Sequence, residues 1–294
     1  MKYVITGSTG HISKPLSKQL IEAGHEVTII SSNADKVKEI EGLGAKAAIG
    51  SAEDIAFLTK TFEGADAVYT MVPPKFDAED WKGYIHGIGK NYAEAIKAAD
   101  VKKVVNLSSV GAHMPEGCGP VSGLYYVEKE LNDLEGVDLR HLRPAYFYYN
   151  LMANIGMIKH AGIIGANYGD ITMVLVHPND IAAVAAEELL DLEFKGKSFR
   201  YIAGDERNTG EIAKVLGGAI GKPELPWVQF KDEDSLNGML KAGLPKETSV
   251  NYVEMGTAIA SGEMYSDYFK HKPSLGPTKL EDFAKEFAGA YAHS

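Results

Sequence analysis

Three observations predict an α/β fold built on a parallel sheet with helices on both faces. Short β-branched runs alternate with longer helical patterns through the first half of the chain. Runs such as Val27-Thr28-Ile29-Ile30 are apolar on both faces, which a strand covered on one side only does not need. The chain also opens on a short apolar run that breaks at Gly7 and passes at once into a helical pattern.

Taken in order, residues 2–6 read as a strand and 12–23 as a helix closed by Gly24. Residues 26–31 read as a strand and 34–43 as a helix closed by Gly44. After a strand at 46–49, a helix spans 52–62, and its start, Ser51-Ala52-Glu53-Asp54, has the form of a capping box. Residues 67–72 are a strand and 81–99 a long helix. Strands at 103–107 and 138–142 bracket a helix near 125–134. Repeated βαβ units in this order predict a doubly wound parallel sheet of the Rossmann type over residues 1–150.

Past Asn150 the rhythm loosens. His177-Pro178-Asn179-Asp180 opens an Ala-rich helix to residue 190, and 198–202 reads as a strand. Thr278-Lys279-Leu280-Glu281 caps a last helix with Leu280, Phe283, Phe287 and Tyr291 on one face. Residues 151–294 therefore read as a smaller, substrate-facing α/β domain that can return one strand to the main sheet.

The chain has 294 residues, enough for a large core and one or two domains. Its charge of −10, without a Lys/Arg stripe, argues against nucleic acid and anionic membrane surfaces as partners. The single cysteine, Cys118, excludes an internal disulfide framework; between Gly117 and Gly119 it reads as an exposed loop thiol. There is no cationic leader, and no apolar run approaches the ~20 residues that span a bilayer, so a cytoplasmic protein is expected. The nine histidines show no metal-ligand spacing, and there is no G-x-S-x-G elbow.

The glycine turn is the first functional signal. A helix N-terminus presents unpaired N–H groups and partial positive charge, so it holds phosphates. Gly7 lets the chain leave the strand sharply, and Gly10 keeps a side chain out of the place where a pyrophosphate meets backbone. Ser13 stands where a third glycine is often found, so the pattern is G-x-x-G-x-x-S. Lys14 and Pro15 exclude a Walker A loop. An ordinary strand-to-helix turn is the plain alternative; a nucleotide cofactor is the expectation.

Spread over nearly the whole chain are segments in which it resembles the NmrA-like branch of the short-chain dehydrogenase/reductase superfamily. They are Val4-Ile5-Thr6-Gly7-Ser8-Thr9-Gly10-His11-Ile12, Leu142-Arg143-Pro144-Ala145-Tyr146-Phe147 with Asn150, His177-Pro178-Asn179-Asp180-Ile181-Ala182, Ala242-Gly243-Leu244-Pro245 and residues 278–283. The resemblance implies a Rossmann domain, bound NADP or NAD, and a cleft above the nicotinamide. It places Gly7, Thr9, Gly10, His11 and Ile12 at the cofactor, Gly50 and Ser51 beside the adenine, and Met71, Val72 and Pro73 at the sheet edge where dinucleotides lie. Ser108, Lys129, Pro144, Ala145 and Tyr146 complete the implied cofactor set.

Ser31, Ser32 and Asn33 end the second strand without the carboxylate that would bind a ribose 2′-OH. Their hydroxyls and amide, with Lys36, suit a 2′-phosphate, so NADP is expected ahead of NAD. Short-chain dehydrogenases commonly carry a Tyr-x-x-x-Lys pair, whose spacing puts both groups on one helical face, where the lysine's charge favours the phenolate. Tyr125 and Lys129 fit, with Ser109, or Ser108, to hold a substrate carbonyl. Tyr268 and Lys272 have the same spacing, so spacing alone is not specific; Tyr125 against the core with Lys129 solvated is the structural alternative. Tyr146, Phe147, Tyr149 and Asn150 face the nicotinamide by the same resemblance. With Met152 and Met157 they suggest a small apolar or aromatic substrate, though core packing explains any one of them as well. The main expectation is an NAD(P)H-dependent reductase of a small quinone, enone or carbonyl compound; its rival is a non-catalytic NAD(P)-binding redox sensor that meets a protein partner, and an epimerase or dehydratase that retains its cofactor, which would also need the Tyr125–Lys129 pair, ranks behind both.

Overall fold

The computed structural model describes residues Met1–Ser294. Its first half runs β1 (Lys2–Ile5), α1 (Ser13–Glu22), β2 (Glu26–Ser31), α2 (Val37–Gly42), β3 (Lys46–Ile49), α3 (Ile55–Phe62), β4 (Ala67–Thr70), α4 (Trp81–Ala98), β5 (Lys103–Leu107), α5 (Pro120–Asn132) and β6 (Asp138–Pro144). The second half adds β7 (Tyr146–Phe147), α6 (Ile155–Ala161), β8 (Ile164–Ala166), β9 (Thr172–Val176), α7 (Pro178–Asp191) and β10 (Lys197–Ile202). It continues through β11 (Asp205–Asn208), α8 (Thr209–Ala219), β12 (Trp227–Gln229), α9 (Asp232–Lys241), α10 (Lys246–Ala260), α11 (Ser266–Lys270) and α12 (Leu280–His293).

Seven parallel strands form the main sheet in the order β10-β6-β5-β4-β1-β2-β3. The strand order reverses beside β1, the switch point at which open α/β sheets bind ligands. Helices cover both faces, as the doubly apolar strands require; every residue of β4 is buried. On one face α1 packs against α7; on the other, α3, α4 and α5 pack in sequence. Two glycines let α4 and α5 approach closely. A Cβ on Gly89 would stand 2.9 Å from Val127 Cα, and one on Gly123 would stand 2.8 Å from Ile85 Cβ.

The second half does return a strand: β10 pairs with β6, Lys197 opposite Leu139 and Ile202 opposite Pro144. One apolar core runs from Tyr3 on β1 to Phe287 on α12, so the two halves share it. Smaller sheets, β11-β9-β7 and β12-β8, carry the rest of the second half. No helix is long and apolar enough to cross a membrane.

Several local expectations are corrected. The third helix begins at Ile55, because Asp54 caps it by accepting the Phe57 N–H at 3.0 Å; Ser51 closes a separate turn by accepting from the Glu53 N–H. The helix expected over 34–43 is split into a 3₁₀ turn over 34–36, capped by Asn33, and α2. The helix expected near 125–134 starts at Pro120, whose missing N–H is harmless in a first turn. Thr278 does not cap α12: Lys279 occupies that position, and Thr278 bonds Asp180 instead. Cys118 is fully buried rather than exposed, and burial pushes its thiol up to about 12.

Candidate functional site

Because the main-sheet strands are parallel, the residues that follow β1 to β6 gather along one edge. There the glycine turn leaves β1 with Gly7 at φ +91° and Ser8 at φ +55°. A Cβ on Gly7 would lie 2.5 Å from Ser13 Oγ and 2.9 Å from Met71 Cγ. Ser13 therefore fills the space that Gly7 leaves, and its hydroxyl donates to the Thr6 carbonyl at 2.8 Å. The third glycine is dispensable because this hydroxyl is satisfied in a buried place. The N–H groups of Thr9, His11, Ile12 and Ser13 find no partner within the chain. Unpaired N–H groups at a helix start are the kind that can hold an anion. Thr6 ties this turn to the end of β4, its Oγ1 accepting the Met71 N–H at 2.8 Å.

At the end of β2, Ser31 is buried and committed. Its oxygen accepts from Ser8 Oγ at 2.9 Å and from the Asn33 N–H at 3.2 Å. Its hydroxyl donates to the Asn33 carbonyl at 3.3 Å. Ser32 and Asn33 are exposed, although the Asn33 amide oxygen already accepts the Asp35 N–H. Lys36 follows, bonded to Glu39 at 2.8 Å, and Lys14 of α1 reaches the other oxygen of the same carboxylate. The Gly50 N–H donates to the Ser31 carbonyl, and a Cβ there would meet the Phe57 ring at 2.6 Å; Ser51 is exposed. Met71, Val72 and Pro73 follow β4 half-buried, with Tyr92 donating to the Met71 carbonyl at 2.8 Å.

Beyond β5 the structure separates the two serines. Ser108 donates to Glu128 Oε1 at 2.5 Å, and Glu128 also takes two bonds from Arg143, Nε at 2.9 Å and Nη2 at 2.6 Å. Arg143 Nη1 reaches Asp267 Oδ2 at 3.3 Å, and Tyr201 donates to the same oxygen at 2.7 Å. Burial pushes the Glu128 carboxyl up, but the Arg143 bonds outweigh it and hold the group below its usual range. The Ser108 hydroxyl thus belongs to a buried ion cluster. Ser109, half-buried, donates only to the Val110 carbonyl. Tyr125 is half-buried one turn before Glu128, edge-on to Tyr126 at 5.1 Å, and Lys129 is exposed on the next turn. Ser109, Tyr125 and Lys129 make no hydrogen bond to one another.

Pro144, which ends β6, and Ala145 after it are buried, and the Ala145 N–H donates to the Ile202 carbonyl. Tyr146 and Phe147 are half-buried in β7, and Asn150 is exposed. Tyr149 stacks on His11 at 4.6 Å with an interplanar angle of 24°. Its hydroxyl donates to Glu286 Oε2 at 2.8 Å, and burial, then Glu286, pushes the phenol up to about 12. The aromatic run that follows β6 and the glycine turn are thereby brought face to face. By contrast, Tyr268 and Lys272 both bond Glu206, at 2.8 and 2.7 Å, a structural clasp.

Sequence reasoning missed Glu128, Arg143, Asp267, Glu39 and Glu286. Two of them carried a signal: Arg143 is a charge in a strand buried on both sides, and Glu128 lies on the sheet-facing side of α5. Such charges survive only as partners.

Residues 7–139 match the NAD(P)H-binding family. The chain is 26% identical over 227 residues to a (4-alkanoyl-5-oxo-2,5-dihydrofuran-3-yl)methyl phosphate reductase of Streptomyces griseus subsp. griseus, covering 76% of each. It is 24% identical to an NAD(P)H azoreductase of Xenophilus azovorans, over 98% of this chain and 97% of that one. Its fold is that of an NADPH-dependent quinone oxidoreductase of Escherichia coli solved with NADPH: TM-score 0.83, 20% identity, 97% and 99% of the two chains covered. A Citrobacter sp. triphenylmethane reductase solved with NADP(H) superposes with a TM-score of 0.79 at 21% identity, over 98% and 100% of the two chains. The match over residues 7–139 takes in the glycine turn at the switch point of the seven-stranded parallel sheet, and these solved structures share the same Rossmann-type fold.

Proposed function

We propose that the protein is an NAD(P)H-dependent oxidoreductase that prefers NADPH and reduces a small apolar or aromatic acceptor, a quinone, enone or carbonyl compound. The observation that carries this reading is the set of unpartnered N–H groups of Thr9, His11, Ile12 and Ser13 around Gly10 at the sheet's switch point. A dinucleotide's pyrophosphate fits there, since Gly10 presents no side chain and the helix N-terminus favours negative charge. Ser32, Asn33 and Lys36 would take the 2′-phosphate and Gly50 with Ser51 the adenine. Met71 to Pro73 and Pro144 to Tyr146 would border the nicotinamide. Residues 151–294 would face the substrate and exclude water from it.

Bound nicotinamide supplies the hydride. The chain's part is to orient the acceptor between Tyr146, Phe147, Tyr149 and Asn150 and to manage its proton. Ser109, whose hydroxyl is not held by Glu128, would hydrogen-bond the acceptor oxygen, and Tyr125 would pass it a proton, with the Lys129 ammonium on the next turn. That the relatives are named reductases favours turnover over a sensor.

Nicotinamide fluorescence titration with NADPH and NADH tests the cofactor site, and a screen of quinones, enones and aldehydes follows. Tyr125→Phe is expected to lower kcat on an accepted carbonyl by about 10²-fold with NADPH binding intact. An unchanged kcat removes Tyr125 from the mechanism; failure to bind either nucleotide removes the whole reading.

A further inference from the structure

Two lysines and one glutamate meet where the glycine turn faces the end of β2. Lys14 lies in the first turn of α1, Lys36 three residues after Asn33, and Glu39 in the first turn of α2. Each ammonium bonds one oxygen of the carboxylate at 2.8 Å. The Thr9 hydroxyl faces the same carboxylate without reaching hydrogen-bond geometry. The cluster thus spans the gap between the pyrophosphate cradle and the ribose end of the site.

All three side chains are partly exposed, between 34% and 48%, so they add little to the stability of the fold. Their charges matter more. Two cations and one anion leave a single net positive charge beside Ser32 and Asn33, and a 2′-phosphate arrives with about two negative charges. A carboxylate within reach of both lysines competes with that phosphate for the same donors. Lys14 first, then Lys36, keep Glu39 down at about 2, so it stays ionised at any pH where the protein works.

We propose that Glu39 sets the preference between NADPH and NADH, by occupying Lys14 and Lys36 as an internal competitor of the ribose 2′-phosphate. This rests on the dinucleotide reading above and adds its specificity device. When NADPH binds, the lysines turn from Glu39 to the phosphate, and Glu39 remains nearby as a like charge. When NADH binds, nothing displaces it. Glu39 therefore weakens NADPH binding, leaves NADH binding alone, and makes the discrimination shallower than the two lysines by themselves would produce.

The test is fluorescence titration of the full chain with NADPH and with NADH, at low and high salt. Wild type is compared with Glu39→Gln, with the double variant Lys14→Met/Lys36→Met, and with all three changes together. Glu39→Gln is expected to lower the NADPH Kd about fivefold and steepen its salt dependence, with the NADH Kd within about twofold of wild type. The double lysine variant should raise the NADPH Kd about tenfold and spare NADH, and in that background Glu39→Gln should add nothing. A Glu39→Gln variant that binds NADPH no better, or that gains equally for both nucleotides, overturns the inference. Wild-type protein that binds neither nucleotide overturns the dinucleotide reading, and the inference falls with it. Binding of both by wild type with no response to Glu39→Gln sinks the inference alone.

Discussion

At Gly7 a backbone in the left-handed region meets a side chain 2.5 Å from where a Cβ would sit. Gly7→Ala combines strain with a clash against Ser13 and is expected to cost about 2 kcal/mol in urea unfolding as well as cofactor binding. Gly10 is different: its φ is ordinary, and a Cβ would approach only the Gly7 carbonyl, at 3.1 Å. Gly10→Ala should leave the urea midpoint nearly unchanged and still raise the NADPH Kd by about tenfold, because the methyl group occupies the phosphate's place. If both variants lose stability equally, the division of labour between the two glycines is wrong. The sharp turn at Gly7 was legible in the sequence because a turn is local. That Ser13 replaces a third glycine without harm was not, since its acceptor is the Thr6 carbonyl at the end of the strand, seven residues back.

Among the elements, α7 shows how two motifs from distant segments form one joint. His177 caps the helix, Nδ1 accepting the Asn179 N–H at 3.1 Å, and Pro178 occupies the first turn. Asp180, 7% exposed, then accepts the Thr278 hydroxyl at 2.7 Å and its N–H at 3.2 Å, fastening the entry to α12. Asp180→Ala strands two donors and is expected to cost about 2–3 kcal/mol, measured as a shift of the urea midpoint. Thr278→Val removes one of the two bonds and should cost about half as much. Equal, near-zero effects would mean that water already serves these groups. Both motifs stood out in the sequence as helix starts. Their mutual bond did not, because nothing local links residues 98 positions apart.

For the molecule as a whole, the buried Glu128–Arg143–Asp267 cluster joins α5, β6 and α11 and so fastens the second half of the chain to the sheet. Arg143→Met leaves two carboxylates without their partner and is expected to cost about 3–5 kcal/mol in urea unfolding. Acid should reveal two windows. His141 lies between the Asn106 amide and the Asn132 oxygen, and burial lowers its pKa to about 4, against an upward pull from Glu128. The unfolded chain takes up this proton near pH 6.5 and the folded chain does not until about 4. Stability is therefore complete above about pH 6.5 and falls by about 1.4 kcal/mol per unit on acidification towards 4. The Glu128 carboxyl, held low, contributes stability above its unfolded value that is lost only as pH falls through its folded value, a more acidic window. Urea midpoints at pH 7 and 5 check the first window: His141→Gln should flatten that slope.

The sequence by itself determined the strand–glycine–helix opening, the alternation that builds β1 to β6 and the helix starts near residues 178 and 280. Each is a local matter of a period of 2 or 3.6, a cap, or a glycine where φ turns positive. Only the tertiary structure decided which serine after β5 stays free, that Cys118 is buried, that Tyr149 lies over His11, and that Glu39 holds two lysines from different elements. Those outcomes depend on which side chains packing brings together: Ser108 meets Glu128 20 residues on, and Arg143 meets Asp267 across 124. A buried charge must find a partner, but its own segment does not say which, so the choice is made in space.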